Sequence, residues 1–367
     1  MVQACRRAVA TALGAAAGAG AATLPVAFAD SAGDDRRPVA LFSATWGRFM
    51  PRVAALLQTD WRLVSSLEGV APERVVAVVD GGPAALDVVA KLPRVRLLQQ
   101  PWTGVEWLKP ERVPPQTTVC NVHGMDPPIA EFVMGSMLDH AIGFSKLDAE
   151  FKSTGAFRPP FPRSDGYGGR PFHGELGGKT LGIVGLGSIG AEVARRAAAF
   201  DMRVIATTRS PRTSLPPHVS WCGAGTGAAL DRLLAESDYL LLACPLNAET
   251  RGLMNAERIA RMRPTAVLVN VARGACVVER DLWDALTNRG IAGAILDVWW
   301  GAHDTGDVSQ QGLAWHTLPN VAMTPHASGW TYEGAEGRRI ADIAANLDAM
   351  ARKEALRNVV HAPRSGG

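Results

Sequence analysis

The sequence predicts an α/β fold with two doubly wound parallel sheets. Short runs of apolar, mostly β-branched residues alternate along the chain with stretches of helical periodicity. Because these runs are continuous rather than alternating, they are typical of strands buried on both faces of a parallel sheet. They form two series, 39–42, 75–79, 95–98 and 118–122, and then 181–184, 204–207, 239–243, 266–270 and 294–298. Each series consists of β-α-β units, which indicates two open sheets.

Length and composition agree with a folded chain of two domains. Of its 367 residues, 47% are apolar and 20% are charged, a balance that allows sizeable buried cores. The formal net charge is only +3, so nothing in the charge pattern favours nucleic-acid binding, and none is expected. The five cysteines include no Cys-x-x-Cys pair. Neither a disulfide framework nor a metal site is therefore expected.

The N-terminal 37 residues differ in composition from the rest. Arg6 and Arg7 precede an uncharged stretch rich in Ala and Gly, which ends in Ala27-Phe28-Ala29. This pattern is typical of a cleavable signal, and an organellar transit peptide or a disordered terminus fits it as well. Because the stretch is mostly Ala and Gly, integral membrane insertion is not expected. We interpret residues 1–37 as a leader or disordered segment, with export, an organelle and the cytoplasm all left open.

A glycine-rich motif lies between the strand 181–184 and the helix 191–200. Its residues, all expected to contact a cofactor, are Gly185, Gly187, Ser188, Ile189 and Gly190. In this G-x-G-x-x-G pattern, the first glycine allows a tight turn and the second allows backbone to approach a pyrophosphate. The third glycine permits close packing of helix on strand. The helix N-terminus offers free N–H groups and a partial positive charge to the phosphates. The motif therefore predicts a dinucleotide-binding unit.

The end of the next strand indicates which dinucleotide is bound. NAD-preferring sites usually carry an acidic residue there, which accepts hydrogen bonds from the ribose hydroxyls. This chain has Thr208 instead, followed by Arg209, Ser210 and Arg212. Without the carboxylate, nothing repels a 2′-phosphate, and Arg and Ser supply donors for it. NADP(H) is therefore favoured, with NAD(H) and a merely solvated basic turn as the alternatives.

Three blocks in a fixed order carry a resemblance to a known family. They are the glycine motif 185–190, Asn270-Val271-Ala272-Arg273-Gly274 and Thr324-Pro325-His326-Ala327-Ser328-Gly329-Trp330-Thr331. Together with 244–250 and 293–298, they resemble the D-isomer-specific 2-hydroxyacid dehydrogenases. That family includes glyoxylate/hydroxypyruvate reductases and formate dehydrogenase. The resemblance covers 181–338, with a weaker match back to about residue 38.

The resemblance implies hydride transfer at the CH–OH group of a 2-hydroxy acid, with a 2-oxo acid as the substrate for reduction. Arg273 matches the family's substrate-binding arginine, and its guanidinium can hold a carboxylate through two hydrogen bonds. His326 matches the catalytic histidine, which exchanges a proton with the substrate. Taken alone, each would be interpreted as an ordinary surface or structural residue. The resemblance also implies further positions that line the cofactor, namely Cys244, Pro245, Ala272 and Asp297. Two others, Thr103 and Gly104, are implied to contact the substrate.

One position departs from the family pattern. Family dehydrogenases carry a Glu five residues after the equivalent of Asp297, where it pairs with the histidine, but this chain has Ala302. Without that carboxylate the imidazolium of His326 loses stabilisation, so reduction is expected to decline at lower pH than in a Glu-bearing relative. Asp304 could replace this Glu only if the loop bent inward, because it lies two residues beyond the expected position. The loss leaves three hypotheses: a slower reductase, a different substrate, or a protein that binds dinucleotide without turnover. The alternatives to a 2-oxo acid reductase are therefore formate-dehydrogenase-like hydride transfer, although Ala302 cannot make the hydrogen bonds of the Gln found there in formate dehydrogenase, and a non-catalytic dinucleotide-sensing interaction protein.

The order of the motifs predicts the domain organisation. A Rossmann-like nucleotide domain, 129–321, is expected to be inserted into a flavodoxin-like substrate domain made of 38–128 and 322–367. The reason is that His326 must lie near Arg273 although the chain continues into a C-terminal helix at 334–350. The segment 129–144 is apolar almost all round, which predicts a long buried helix at the domain junction and favours a homodimer. The remaining partner expected is a small 2-oxo or 2-hydroxy acid.

Overall fold

The computed structural model describes residues 35–155, 173–210, 212, 214–301, 312–331 and 334–363. Contacts divide the chain into two units, Met1–Arg37 and Pro38–Gly367, and every element named below belongs to the second. The predicted leader lies almost wholly outside the described residues, and so do Ala302 and Asp304. No helix in the described part of the chain is long and apolar enough to cross a membrane.

The first sheet is formed mainly by the N-terminal strands. Its strands are β1 Val39–Phe42, β2 Arg62–Val64, β3 Val75–Val79, β4 Leu97–Gln99, β5 Thr118–Cys120 and β13 Val359–His361. Among the described residues their order is β13-β5-β4-β3-β1-β2. Neighbours are parallel except β13, which pairs antiparallel with β5. The helices that belong to this half are α1 Met50–Ala54, α2 Pro83–Ala90 and, at the end of the chain, α9 Gly334–Arg352.

The second sheet is parallel throughout its described strands. These are β6 Thr180–Val184, β7 Arg203–Thr208, β8 Trp221–Ala224, β9 Tyr239–Leu242, β10 Val267–Asn270, β11 Gly293–Leu296 and β12 Val321–Met323, in the order β12-β11-β10-β9-β6-β7-β8. The helices between them are α5 Ser188–Ala198, α6 Gly227–Glu236, α7 Ala256–Ile259 and α8 Glu279–Thr287. The predicted α/β class with two mostly parallel sheets is confirmed.

Four strands are absent from the two predicted series, and all four lie at sheet edges. β2, β8, β12 and β13 are three or four residues long and only half-buried or exposed. Central strands such as β9, β10 and β11 are buried at every position. A strand at the edge of a sheet has a neighbouring strand on one side only and is partly exposed to solvent. It therefore needs no continuous run of apolar residues, and that run was the pattern used to predict strands.

The helix predicted over 129–144 differs in its limits and its burial. The structure has two helices here, α3 Asp126–Ile142 and α4 Phe144–Thr154. They are separated by Gly143, whose φ of +72° places it in the left-handed region that favours glycine. Val133 and Met137 of α3 lie in the core of the second sheet, whereas Glu131 is exposed. The helix is therefore buried along one face rather than all round.

The C-terminal helix α9 packs against the first sheet. Its apolar residues Ile343 and Leu347 lie in one core with Ala40 and Phe42 of β1. A buried polar contact adds to this, because Asn346 of α9 donates to Gln99 Oε1 of β4 over 2.6 Å. A domain inserted at 129–321 requires this return of the chain to the first sheet. The exact domain boundaries stay a prediction.

Parallel strands bring their carboxyl ends to one edge of the second sheet, where open α/β sheets bind ligands. The loops that follow these strands carry most of the predicted site residues, namely Gly185 after β6, Thr208 at the end of β7, Cys244 after β9, Arg273 after β10, Asp297 after β11 and His326 after β12. The fold therefore gathers, at one edge, residues that are far apart in sequence.

Candidate active site

The glycine loop after β6 has the geometry of a phosphate cradle. Gly185 has a φ of +99°, and a Cβ there would lie 2.8 Å from the backbone of Cys244. A Cβ on Gly190 would collide with the carbonyl oxygen of Gly185. Gly187 caps the N-terminus of α5, and a Cβ there would meet no described atom within 4 Å. The open space at Gly187, beside free N–H groups of a helix N-terminus, fits a pyrophosphate.

A buried carboxyl group lies beside this loop, and the sequence analysis missed it. Asp126, at the start of α3, is 7% exposed. Burial raises the pKa of its carboxyl, against the opposing effects of nearby His123 and Ser188. Ser188 Oγ also lies 3.4 Å from His123 Nδ1. A raised pKa favours the neutral acid, which repels a phosphate less than a carboxylate does.

Two arginines lie near the end of β7. Arg209 has a side chain 81% exposed, with its Nε 3.5 Å from Glu249 Oε2. Arg212 turns the other way and donates from Nη2 to the carbonyl oxygen of Leu186, in the glycine loop, over 2.5 Å. The hydroxyl of Thr208 donates a hydrogen bond to the carbonyl oxygen of Ser210, two residues later, over 2.7 Å. Arg212 thus reaches the cofactor loop although it was noted in the sequence only as part of a basic turn.

Arg273 follows β10 and is held by the side chain of Asn270. That side chain is fully buried. Its Oδ1 accepts from the N–H of Ala272 and its Nδ2 donates to the carbonyl oxygen of Arg273, both over 3.0 Å. Gly274 comes next, and a Cβ there would collide with the carbonyl oxygen of Trp299. The backbone on both sides of Arg273 is therefore constrained, which aims its side chain across the site.

The guanidinium of Arg273 meets the loop that follows β4 of the first sheet. A Cβ on Gly104 would collide with Arg273 Nη2, so only glycine allows this approach. Arg273 Nε forms an ion pair with Glu106 Oε1 at 3.0 Å, and its Nη1 donates to the carbonyl oxygen of Ala272 over 2.7 Å. Glu106 was not singled out from the sequence. The structure thus brings Arg273 together with Gly104, as the resemblance implied.

Buried amides shape the loop around Thr103 and Gly104. The Gln100 side chain donates to the carbonyl oxygens of Trp102, over 2.8 Å, and of Gly104. Asn121 donates to the carbonyl oxygen of Thr103 over 2.7 Å, while its own Oδ1 is buried and has no hydrogen-bond partner among the described residues. Because each amide holds backbone carbonyls, the loop keeps its position opposite Arg273.

His326 is placed by Asp297. The histidine has a φ of +53°, in the left-handed region, where a side chain needs support from its surroundings. The fully buried carboxylate of Asp297 accepts from the Thr324 hydroxyl and the Ala327 N–H, both over 2.7 Å. Its other oxygen accepts from the Ser328 N–H over 3.1 Å. Asp297 therefore holds the turn that carries His326, and its implied contact with the nicotinamide stays a prediction.

The predicted positions beside the glycine loop have different exposures. Cys244 and Ala272 are buried, and Pro245 is exposed. A hydrogen bond with the Cys276 thiol and burial together raise the pKa of Cys244 well above its usual range. A thiol held protonated in this way is a poor nucleophile. This agrees with interpreting Cys244 as a lining residue.

A family model described as D-isomer specific 2-hydroxyacid dehydrogenase, NAD binding domain, matches residues 134–328. The chain belongs to this family. The chain is similar to a glyoxylate reductase from Pyrococcus furiosus, with 40% identity over 181 residues, 49% of this chain and 50% of that protein. Hydroxypyruvate reductase from Thermotoga maritima is 35% identical over 217 residues, 59% of this chain and 64% of that one. The chain spans about half to two thirds of the length of these curated relatives.

Solved structures of relatives show the same fold. An NADPH-dependent glyoxylate/hydroxypyruvate reductase from Sinorhizobium meliloti, in complex with citrate, is 26% identical with a TM-score of 0.70. The match covers 89% of this chain and 99% of that one. A family protein from Aeromonas salmonicida reaches a TM-score of 0.72 at 23% identity, with 89% and 99% covered. Both sheets of this dehydrogenase family are therefore present in the chain.

The different surroundings of two glycines predict separable effects. Gly187→Ala leaves the free energy of unfolding close to wild type, because its φ of −84° suits any residue and a Cβ meets open space. It weakens dinucleotide binding by about tenfold or more, since the methyl group occupies the phosphate approach. Gly190→Ala instead lowers the free energy of unfolding by about 2 kcal/mol, because its Cβ collides with backbone. Urea denaturation and calorimetric titration with NADP⁺ measure both effects. Equal loss of stability in the two variants would contradict this assignment.

Proposed function

We propose that the chain is an NAD(P)-dependent oxidoreductase that reduces a 2-oxo acid, such as glyoxylate or hydroxypyruvate, to the 2-hydroxy acid. The close approach of Arg273 to Gly104 is the observation that supports this most directly. It brings a guanidinium against the Thr103–Gly104 loop, which the resemblance implies to contact the substrate. His326 follows β12 at the same sheet edge. A cation beside a proton donor is what reduction of a carbonyl next to a carboxylate requires.

Each residue then has a defined task. When bound, the dinucleotide supplies the hydride. Arg273 holds the substrate carboxylate and stabilises the negative charge that develops on the carbonyl oxygen. His326 delivers a proton to that oxygen. Glu106, paired with Arg273 through Nε, orients the guanidinium so that its Nη side faces the substrate. Apart from the cofactor, these steps need only groups that the chain itself provides.

NADP(H) is the proposed cofactor, with NAD(H) as the alternative. Position 208 carries a threonine rather than an acid, so a 2′-phosphate meets no carboxylate at the end of β7. Arg209 and Arg212 both lie within reach of that strand end, and Arg212 contacts the glycine loop. Relatives from S. meliloti and Xanthobacter autotrophicus, 25% and 26% identical, were solved with NADP and NADPH, respectively.

A homodimer is proposed through the face formed by α3 and α4. A groove of about 830 Å³ lies there, lined by Phe132, Leu138, Phe144 and Met323 among others. Phe144 is 68% exposed and Phe151 of α4 is 49% exposed. Apolar rings this exposed beside a groove fit a second copy of the chain. Light scattering should give twice the 38.9 kDa chain mass, and Phe144→Ser should lower it. A monomeric wild type would contradict the proposal.

Substitution of the two reacting residues should produce different kinetic defects. Arg273→Ala raises KM and lowers kcat together, at a cost of about 3 kcal/mol in kcat/KM, because it removes both carboxylate and oxyanion contacts. His326→Ala lowers mainly kcat, by roughly 10²–10⁴-fold, because only proton delivery is lost. The matched control is Arg280→Ala, an exposed arginine of α8 that pairs with Asp284.

The measurement is NADPH oxidation with glyoxylate, hydroxypyruvate, pyruvate and, in the reverse direction, formate. Near wild-type kcat in His326→Ala on every 2-oxo acid would exclude its proton role. Turnover of formate alone would favour formate-dehydrogenase-like chemistry. Dinucleotide binding without any turnover would favour a sensing protein.

Cofactor selectivity should depend on the two arginines near β7. Arg209→Ala and Arg212→Ala each raise KM for NADPH by about tenfold or more and leave KM for NADH nearly unchanged, because each removes a charged hydrogen bond to the 2′-phosphate. Glu249→Gln should instead lower KM for NADPH, because it removes the carboxylate that pairs with Arg209 and competes with the 2′-phosphate for it. Initial rates with both reduced cofactors give the ratio. Equal effects on NADPH and NADH would show that these arginines do not contact the 2′-phosphate.

A further inference from the structure

Arg339, on α9, is a buried cation that the proposed reaction does not use. The residue is 4% exposed. Its Nε has no hydrogen-bond partner among the described residues, and its Nη2 contacts the Met125 sulfur at 4.0 Å. No carboxylate within the described ranges forms an ion pair with it, and neighbouring Glu336 is engaged with Arg52 at 2.9 Å. Burying an arginine in this way is unfavourable unless something compensates its charge.

Two indole rings flank the Arg339 guanidinium. Its central carbon lies 5.4 Å from the ring centroid of Trp46 and 5.4 Å from that of Trp330. Cation–π contacts compensate part of the burial but leave the Nε–H donor unsatisfied. Burial lowers the pKa of Arg339, while the nearby carboxylate of Glu336 opposes this effect and the positive charge of Arg48 adds to it. The unpaired Nε–H remains a donor that a bound anion would satisfy.

This cluster is continuous with the candidate active site. Trp46 packs on Trp102, with ring centroids 5.7 Å apart, and Trp102 directly precedes the Thr103–Gly104 loop that meets Arg273. On the other side, Trp330 lies four residues after His326. Met125, which contacts Arg339, would also touch a Cβ on Gly329 at 3.0 Å. The cluster of Trp46, Trp330 and Arg339 thus extends from both sides of the reacting centre.

We propose that Arg339 forms a second anion subsite, so that the substrate is a 2-oxo acid with a second anionic group, carboxylate or phosphate, at its far end. This inference rests on the proposed function and specifies its substrate class. Arg273 would hold the carboxylate beside the carbonyl. The fixed planar donors of Arg339 would hold the distal group and satisfy the unpaired Nε. Trp330, whose side chain is 66% exposed, would shield that ion pair from water.

The test compares substrates that carry a second anionic group with monoanions that lack it. Two pairs are matched in length, 2-oxoglutarate with 2-oxohexanoate and oxaloacetate with 2-oxovalerate, and a third compares phosphohydroxypyruvate with hydroxypyruvate, which lacks the phosphoryl group. The last pair distinguishes phosphate from carboxylate as the distal group. Wild-type kcat/KM should be higher for at least one dianion than for its partner by about tenfold or more. Arg339→Gln should abolish that preference and change the monoanion rates by less than about threefold, while Arg339→Lys should retain part of it.

Arg112→Gln is the matched control, since it removes an exposed arginine of the same half of the molecule, paired with Asp87, and should leave the preference intact. If wild type reduces 2-oxo acids but shows no dianion preference, the subsite is refuted and the proposed function stands. If no 2-oxo acid is reduced, or if Arg339→Gln does not fold, binding measured by calorimetry tests the subsite instead. Wild type and Arg339→Lys, loaded with NADP⁺, should bind the 2-hydroxy acid product of at least one of the three dianionic substrates more tightly than the product of its monoanionic partner. Equal affinities within all three pairs would refute the subsite independently of turnover.

Discussion

The contact between the Arg273 guanidinium and Gly104 is the constraint on which the candidate site depends. It joins a loop of the second sheet to a loop of the first, at a separation that no side chain other than glycine's hydrogen allows. The ion pair between Arg273 and Glu106 spans the same two loops. Because the cation is held by both sheets, any movement of one loop relative to the other changes where the positive charge lies.

Buried polar side chains, rather than apolar packing, set the loops of this site. Asn270 holds the backbone around Arg273, Gln100 holds that of Gly104, and Asp297 holds the turn of His326. Each is fully buried. A buried amide or carboxylate is stable only when its hydrogen bonds are made, so each of these side chains accepts few loop conformations. The side chains of Arg273 and His326 can then remain partly exposed while these hydrogen bonds hold the backbone around them.

The same principle makes Arg339 informative. Most buried polar groups in the described part of the chain find partners, and Asp348 of α9 is an example, since it accepts hydrogen bonds from Gln58 and Thr59 at 2.6–3.1 Å. Arg339 lies on the same helix, yet its Nε has no partner among the described atoms. A buried donor without a partner requires an explanation, and a bound anion is the one proposed for Arg339.

The sequence by itself determined the central strands, the glycine loop and the positions of Arg273 and His326. These features are visible in short stretches of sequence. A continuous run of apolar residues indicates a strand buried on both faces, and each glycine of the loop indicates a position where the backbone turns tightly or another group packs closely. The predicted elements gave other limits for α3 and did not include the edge strands β2, β8, β12 and β13, because half-buried elements leave weaker patterns. Only the tertiary structure showed the contacts of Glu106, Arg212 and Arg339, and the support that Asp297 gives to the turn of His326. Each of these depends on which distant segment lies opposite the side chain, and one sequence carries no record of that pairing until the chain has folded.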